Sequence, residues 1–173
     1  ANKYLIAQPR AEKASAEMFA AIQNFNAEEW QVALDGDGNY AGFLEVIDNY
    51  GSTPQGSLAA HYAGICYLRL GDLENAEKYL AMYDAVDELA SEVVNAQNLG
   101  LRGDVAVEKG EYEAAVALYK KAVAASANIY TAPVYLLKQT LVYAQLGNKA
   151  EAQKCLDALR AEYPMSTEAR EAE

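Results

Sequence analysis

Residues Ser57–Tyr83 read SLAAHYAGICYLRLGDLENAEKYLAMY, and this stretch decides the fold. Its apolar residues recur at intervals of three and four, the period of a helix and not of a strand. The pattern breaks once, at Gly71-Asp72, so the stretch reads as two helices joined by a tight turn. Small residues stand where the two helices must approach, Gly64 in the first and Ala76 in the second. Large side chains at those places would force the pair apart. Glycine at the reversal permits the left-handed backbone that the turn needs.

The same spacing returns downstream. If the turn glycine is counted as position fifteen, Gly64 stands at eight, Tyr67 at eleven, Gly71 at fifteen and Ala76 at twenty. A second copy has Gly103 at eight, Ala106 at eleven, Gly110 at fifteen, Ala115 at twenty, Tyr119 at twenty-four and Ala122 at twenty-seven. A third has Tyr143 at eleven, Gly147 at fifteen, Ala152 at twenty and Pro164 at thirty-two, with Thr140 replacing glycine at eight. Position four carries Ala60, Leu99 and Leu136. Positions eight and twenty are expected to face each other within each hairpin.

This order resembles the tetratricopeptide repeat (TPR), a helix–turn–helix unit of about 34 residues. The resemblance implies an all-α fold, a right-handed superhelix (α-solenoid) of antiparallel helical hairpins in one domain over residues 1–173. Its parts would be N-terminal helices with a degenerate repeat at 1–55, TPR-like repeats at 56–90, 91–130 and 131–165, and a frayed tail at 166–173. The turn glycines lie 39 and then 37 residues apart. Longer helices and the linkers 84–90 and 125–131 are expected to absorb the excess.

Upstream, residues 1–10 read as an extended or frayed lead-in, and 12–25 as an amphipathic helix with Ala16, Phe19, Ala20 and Ile22 on one face. Asn26 is a candidate cap for a short helix over 27–34, with Glu28 and Glu29 in its first turn. A further helix is expected over 40–50. Gly38-Asn39-Tyr40 lies 33 residues before the Gly71 turn, so it reads as the turn of the degenerate first repeat. Trp30 is then a core plug. Asp35-Gly-Asp-Gly-Asn39 also matches the first ligands of a calcium loop, but Tyr40 stands at the obligatory glycine and Val46 at the bidentate glutamate. The competing reading is an inter-helix turn in which Asp and Asn bond their own backbone.

Fourteen Lys and Arg face twenty-five Asp and Glu, a formal net charge of −11. That balance argues against a phosphate-binding or nucleic-acid-binding surface. Two cysteines, Cys66 and Cys155, lie in apolar helical patterns and read as buried thiols, not as a disulfide framework. One histidine, His61, has no companions at metal-ligand spacing, and five residues from Cys66 it points to a different side of the helix. No nucleophile with its base, no paired carboxylates with a cleft and no phosphate loop are present, so no enzyme, resident metal or cofactor is expected. The thirteen tyrosines read mostly as core residues with the hydroxyl at the rim. No apolar run spans a membrane and no signal peptide is visible. The chain opens at Ala1 without a methionine, so a processed start and a removed anchor both fit it.

The TPR resemblance implies recognition of a protein or peptide on the concave face built by the first helix of each repeat. The positions that usually point there are Leu58, His61, Ile65, Leu68 and Arg69. In the next repeat they are Gln97, Gly100, Asp104, Val107 and Glu108, and in the last Val134, Leu137, Leu141, Ala144 and Gln145. Chaperone-binding members place Lys and Asn where this chain has His61/Ile65, Gly100/Asp104 and Leu137/Leu141. An acidic chaperone tail is therefore not the expected ligand. The run from Ala33 to Leu80 resembles TPR proteins of Bacteroidetes that are similar to the ancillary subunit of the Sec translocon. Those hang from the inner membrane by one N-terminal helix with the repeats in the periplasm. That resemblance implies an adapter in envelope translocation or assembly. The alternatives are a self-association module whose groove is filled by its own helices, and a calcium-dependent module using Asp35–Asn39.

Overall fold

The computed structural model describes residues 2–86, 91–125 and 128–172, with side chains from Pro9 onward. Helices are the only regular elements among the described residues. They gather into two compact units, Ala1–Asp84 and Ala85–Glu173. Part of each expected linker, 87–90 and 126–127, lies outside the described residues.

The first unit contains α1 (Asn2–Asn26), α2 (Trp30–Asp35), α3 (Phe43–Tyr50), α4 (Pro54–Arg69) and α5 (Leu73–Ala81). The lead-in expected at 1–10 is helical from Asn2, and Pro9 lies inside α1. Its ring removes one helical hydrogen bond, while good helix formers on both sides carry the helix through. The buried stripe of α1 is Ala14, Met18 and Ala21, with Ile22 and Phe25 packed beside it. Phe19, expected on that face, is 65% exposed. Phe25 ties the core together: its ring lies edge-on to Trp30 at 5.3 Å and to Tyr62 at 4.9 Å, and Tyr62 stacks on Phe43 at 5.4 Å.

Three hairpin turns close by one hydrogen-bond pattern. Asp72, Glu111 and Asn148 donate their N–H groups to the carbonyls of Tyr67, Ala106 and Tyr143, at 2.9, 2.8 and 2.9 Å. The preceding residue is Gly71, Gly110 or Gly147, at φ 83°, 76° and 74°. This is the Schellman ending of a helix, which suits glycine because the left-handed region carries no Cβ penalty for it.

The fourth such turn is at Glu28, not Gly38. Glu29 N–H donates to the Asn24 carbonyl at 2.9 Å, and Glu28 adopts φ 62°. Counted from Glu28, Ala21 falls at position eight and Ala33 at twenty, both fully buried. The first hairpin is therefore α1–α2. The short helix expected over 27–34 starts only at Trp30, because Glu28 and Glu29 form the turn before it. Gly36 and Gly38 belong to the next connection, at φ 89° and 90°. The helix expected from Tyr40 begins at Phe43.

Thr53 caps α4, its Oγ1 accepting the Gly56 N–H at 3.1 Å, with Pro54 in the first turn where its missing N–H is harmless. Asp72 and Asn148 cap α5 and the corresponding later helix in the same way.

The second unit contains α6 (Glu92–Glu108), α7 (Tyr112–Ala125), α8 (Ala132–Gln145), α9 (Lys149–Glu162) and α10 (Thr167–Glu171). Its hairpins are α6–α7 and α8–α9. The nearest atoms to the place a Cβ would take on Gly103 belong to the Tyr119 ring, as those of Leu80 do for Gly64. Position eight is thus met by the side chain at twenty-four, where alanine at twenty was expected. The tail expected to fray forms α10, capped by Ser166 Oγ and docked through Ala169 near Leu136 and Leu159. Apolar burial of Ala169 supplies the order that the charged sequence alone conceals.

Candidate interaction surface

The first-helix positions fare differently in the two units. On α4, Leu58, Ile65 and Leu68 are half-buried, and Leu58 packs against the core. His61 is 3% exposed, with ring centres 5.8 Å from Tyr62 and 5.4 Å from Tyr83. Burial pushes its imidazole down to about 4. Arg69 is exposed, its guanidinium 5.8 Å from the centre of the Trp30 ring, a cation–π distance.

In the second unit, Gln97, Glu108 and Gln145 are exposed. Val107, Val134 and Leu137 are half-buried against its cores. Leu141 is 60% exposed, an uncovered aliphatic side chain on α8. Gly100 lies under the Tyr135 ring, where a Cβ would overlap it. Ala144 is exposed.

Asp104 is the hub of a polar network. Its Oδ1 accepts from the Tyr119 hydroxyl at 2.6 Å and from Lys138 Nζ at 2.7 Å, and its Oδ2 accepts from Nζ at 2.9 Å. The ammonium also lies 5.9 Å from the centres of the Tyr119 and Tyr135 rings, which stack at 6.1 Å. Burial first, then the Asp104 carboxylate, raises both phenols, with Tyr135 pushed up to about 12 and Tyr119 well above its ordinary value. Lys138 was not among the residues the sequence singled out. No spacing within one repeat points to it: Asp104 and Lys138 are 34 residues apart, while the turn glycines of their two repeats, Gly110 and Gly147, are 37 apart.

The remaining candidates are local. Cys66 is buried, its thiol pushed up to about 12, and Cys155 is half-buried with its thiol raised, in both cases chiefly by burial. Neither is poised as a thiolate nucleophile. Asp37 Oδ1 accepts the N–H groups of Asn39 and Tyr40 at 2.9 and 2.8 Å, which holds its carboxyl below the usual range. Asp35 accepts from Gln31 Nε2 at 2.6 Å. The loop borders an open cleft of about 580 Å³. Among the described residues no three His, Cys, Asp or Glu side chains gather to hold a metal ion. No helix among them is long and apolar enough to cross a membrane. Of the twelve tyrosines with described side chains, Tyr40 and Tyr130 are exposed and the others are buried or half-buried.

Models of the tetratricopeptide repeat match residues 96–129 and 135–166, the hairpins of the second unit. The chain carries tetratricopeptide repeats. TPR chains are interaction scaffolds for proteins or peptides and not enzymes, and this chain is a scaffold of that class. No curated protein matches it. Two crystal structures of MamA are similar in fold. The first is 19% identical, covers 70% of this chain and 69% of that one, and has a TM-score of 0.52. The second is 16% identical, covers 88% and 74%, and has a TM-score of 0.64. The crystal structure of PilW, a widely conserved type IV pilus biogenesis factor, is 22% identical, covers 98% and 76%, and has a TM-score of 0.57. At these identities the likeness is one of fold.

Proposed function

We propose that this TPR chain is an adapter of the cell envelope that holds a protein or peptide segment on the first helices of its repeats, in translocation or assembly. The observation that carries this reading is the match of the tetratricopeptide repeat to residues 96–129 and 135–166; within it Leu141 stands 60% exposed at a first-helix position on α8, one turn from half-buried Leu137. The envelope assignment draws on the similarity to PilW and on the resemblance to periplasmic TPR proteins. In this reading each of the two units presents its own recognition helices. Leu58, His61, Ile65, Leu68, Arg69, Gln97, Asp104, Val107, Glu108, Val134, Leu137, Leu141 and Gln145 belong to the recognition helices. Buried His61 and hydrogen-bonded Asp104 shape the surface more than they touch a partner.

The test is site-specific photocrosslinking in cells from position 141, with position 113 on α7 as the control. A defined envelope protein crosslinked from 141 and not from 113 is the expected result, lost on Leu137→Glu with Leu141→Glu while helicity stays unchanged. Equal labelling from both positions removes the reading. A crosslink only to a second copy of the chain would establish self-association instead.

A further inference from the structure

The second helix of the α4–α5 hairpin stops early. Counted from its turn glycine, α5 ends at position twenty-five with Ala81, whereas α7 and α9 run to position thirty with Ala125 and Glu162. Position twenty-seven shows why. It holds Ala122 in α7 and Leu159 in α9, both fully buried, but Tyr83 in the first unit. A phenol is larger than either and polar at its tip, and the chain leaves the helix before it. Asp84 N–H then donates to Ser57 Oγ at 2.8 Å, and the Tyr83 ring stands 5.4 Å from the His61 ring. Ser57 and His61 are one turn apart on α4, and both are buried. His61 is a first-helix position of the kind the adapter reading gives to a partner. In this structure the chain's own residues 83–84 sit on it.

We infer that residues 82–84 are a strap that fills the recognition site of α4 in place of a partner, and that the partner segment it imitates carries an aromatic residue not followed by proline. The strap's own contacts define that occupant: a ring against the His61 imidazole, and the next backbone N–H on Ser57 Oγ. This deepens the adapter reading and rests on it. The strap is built to yield. Met82 and Asp84 are exposed, Tyr83 is half-buried, and residues 83–85 lie outside any helix. Segments of that kind open locally at a fraction of the free energy of global unfolding. Because it is tethered, the strap holds the site at an effective concentration on the order of millimolar, which a partner must outcompete.

His61 is the one histidine of the chain, so its carbethoxylation by diethyl pyrocarbonate at neutral pH, located by mass spectrometry, reads its cover. Tyr83→Ala and Ser57→Ala, made separately in the full chain, are each expected to speed His61 modification about fivefold, the effect of one lost hydrogen bond on a local equilibrium. Far-ultraviolet ellipticity stays unchanged, and Ser57→Ala, which leaves the Tyr83 ring in place, carries the test if Tyr83→Ala does not fold. In Tyr83→Ala the acetylated and amidated peptide Met-Tyr-Asp-Ala at millimolar concentration restores protection, while Met-Ala-Asp-Ala and Met-Tyr-Pro-Ala do not. Unchanged His61 reactivity in both variants overturns the strap. Faster modification that Met-Tyr-Asp-Ala does not slow, or that all three peptides slow alike, overturns the aromatic occupant. Crosslinking from position 141 is independent of the strap, so a failure of the adapter reading shows there and not in these rates.

Discussion

Tyr119 donates its phenolic hydrogen to Asp104 Oδ1 across 2.6 Å, while its ring covers the backbone of Gly103. One side chain thus closes the α6–α7 hairpin and holds the carboxylate that Lys138 grips from α8. Tyr119→Phe keeps the ring and removes the donor. A hydrogen bond to a charged acceptor contributes about 1.5–3 kcal/mol. Urea denaturation should show a loss of that size with an unchanged slope. No loss would mean that Lys138 alone satisfies the carboxylate.

Glu28 occupies the turn position that Gly71, Gly110 and Gly147 fill elsewhere. A side chain in the left-handed region carries a cost of about 1–2 kcal/mol, and glycine gives back part of the gain through its greater freedom when unfolded. Glu28→Gly should stabilise the protein by about 0.5–1 kcal/mol. Gly71→Ala should destabilise it by a similar amount. Thermal melts of both variants read the two signs, and a destabilised Glu28→Gly would show that Glu28 makes a stabilising contact of its own.

His61 is buried in neutral form, its pKa lowered from 6.5 to about 4 by desolvation. Between about pH 4 and 6.5 the unfolded chain binds more protons at this site than the native one, so stability falls as pH falls through that window. The full effect is roughly 3 kcal/mol. Denaturation at pH 7 and at pH 5, where most carboxylates remain ionised, should show a loss that His61→Gln largely abolishes. An identical pH slope in the variant would assign the acid sensitivity to carboxylates.

Leu159 is fully buried beside Ala169 of α10. Leu159→Ala should cost about 3 kcal/mol through lost burial and the cavity left behind. Ser166→Ala, which removes the α10 cap, should cost about 1 kcal/mol. Hydrogen exchange localises the second effect: faster exchange confined to 167–172 is expected, and uniform loss of protection would show that α10 is integral to the whole unit.

The Asn39 and Tyr40 N–H groups bond one oxygen of Asp37, Oδ1, and close the loop as a turn, while Tyr40 and Val46 stand where a calcium loop needs its glycine and its bidentate glutamate. Millimolar calcium is expected to leave the melting temperature unchanged. A rise that scales with calcium concentration would restore the metal-dependent reading.

The hairpins of residues 56–165 were legible because glycine is the residue that most cheaply adopts a left-handed turn. Gly71, Gly110 and Gly147 mark their turns directly. The first hairpin was hidden because its turn uses Glu28, and no propensity flags a glutamate there. Gly38 drew the count toward the wrong connection, since Gly-Asp-Gly-Asn signals a bend without saying which helices it joins. The candidate positions came from the repeat count, which carries no information on exposure. Leu141 and Arg69 are exposed, but His61 holds a first-helix position with its ring turned into the core, a matter of the tyrosines around it. The Asp104–Lys138 bond joins two repeats, and a motif read within single repeats contains no trace of it.

The chain has one tryptophan, and Trp30 lies in the first unit, edge-on to Phe25 and beneath Arg69. Fluorescence excited beyond the tyrosine band therefore reports on residues 1–84 alone, while far-ultraviolet ellipticity sums over every helix. The protein carries its own optical label for one half. Overlaying the two signals during a melt tells whether the halves come apart together or in sequence.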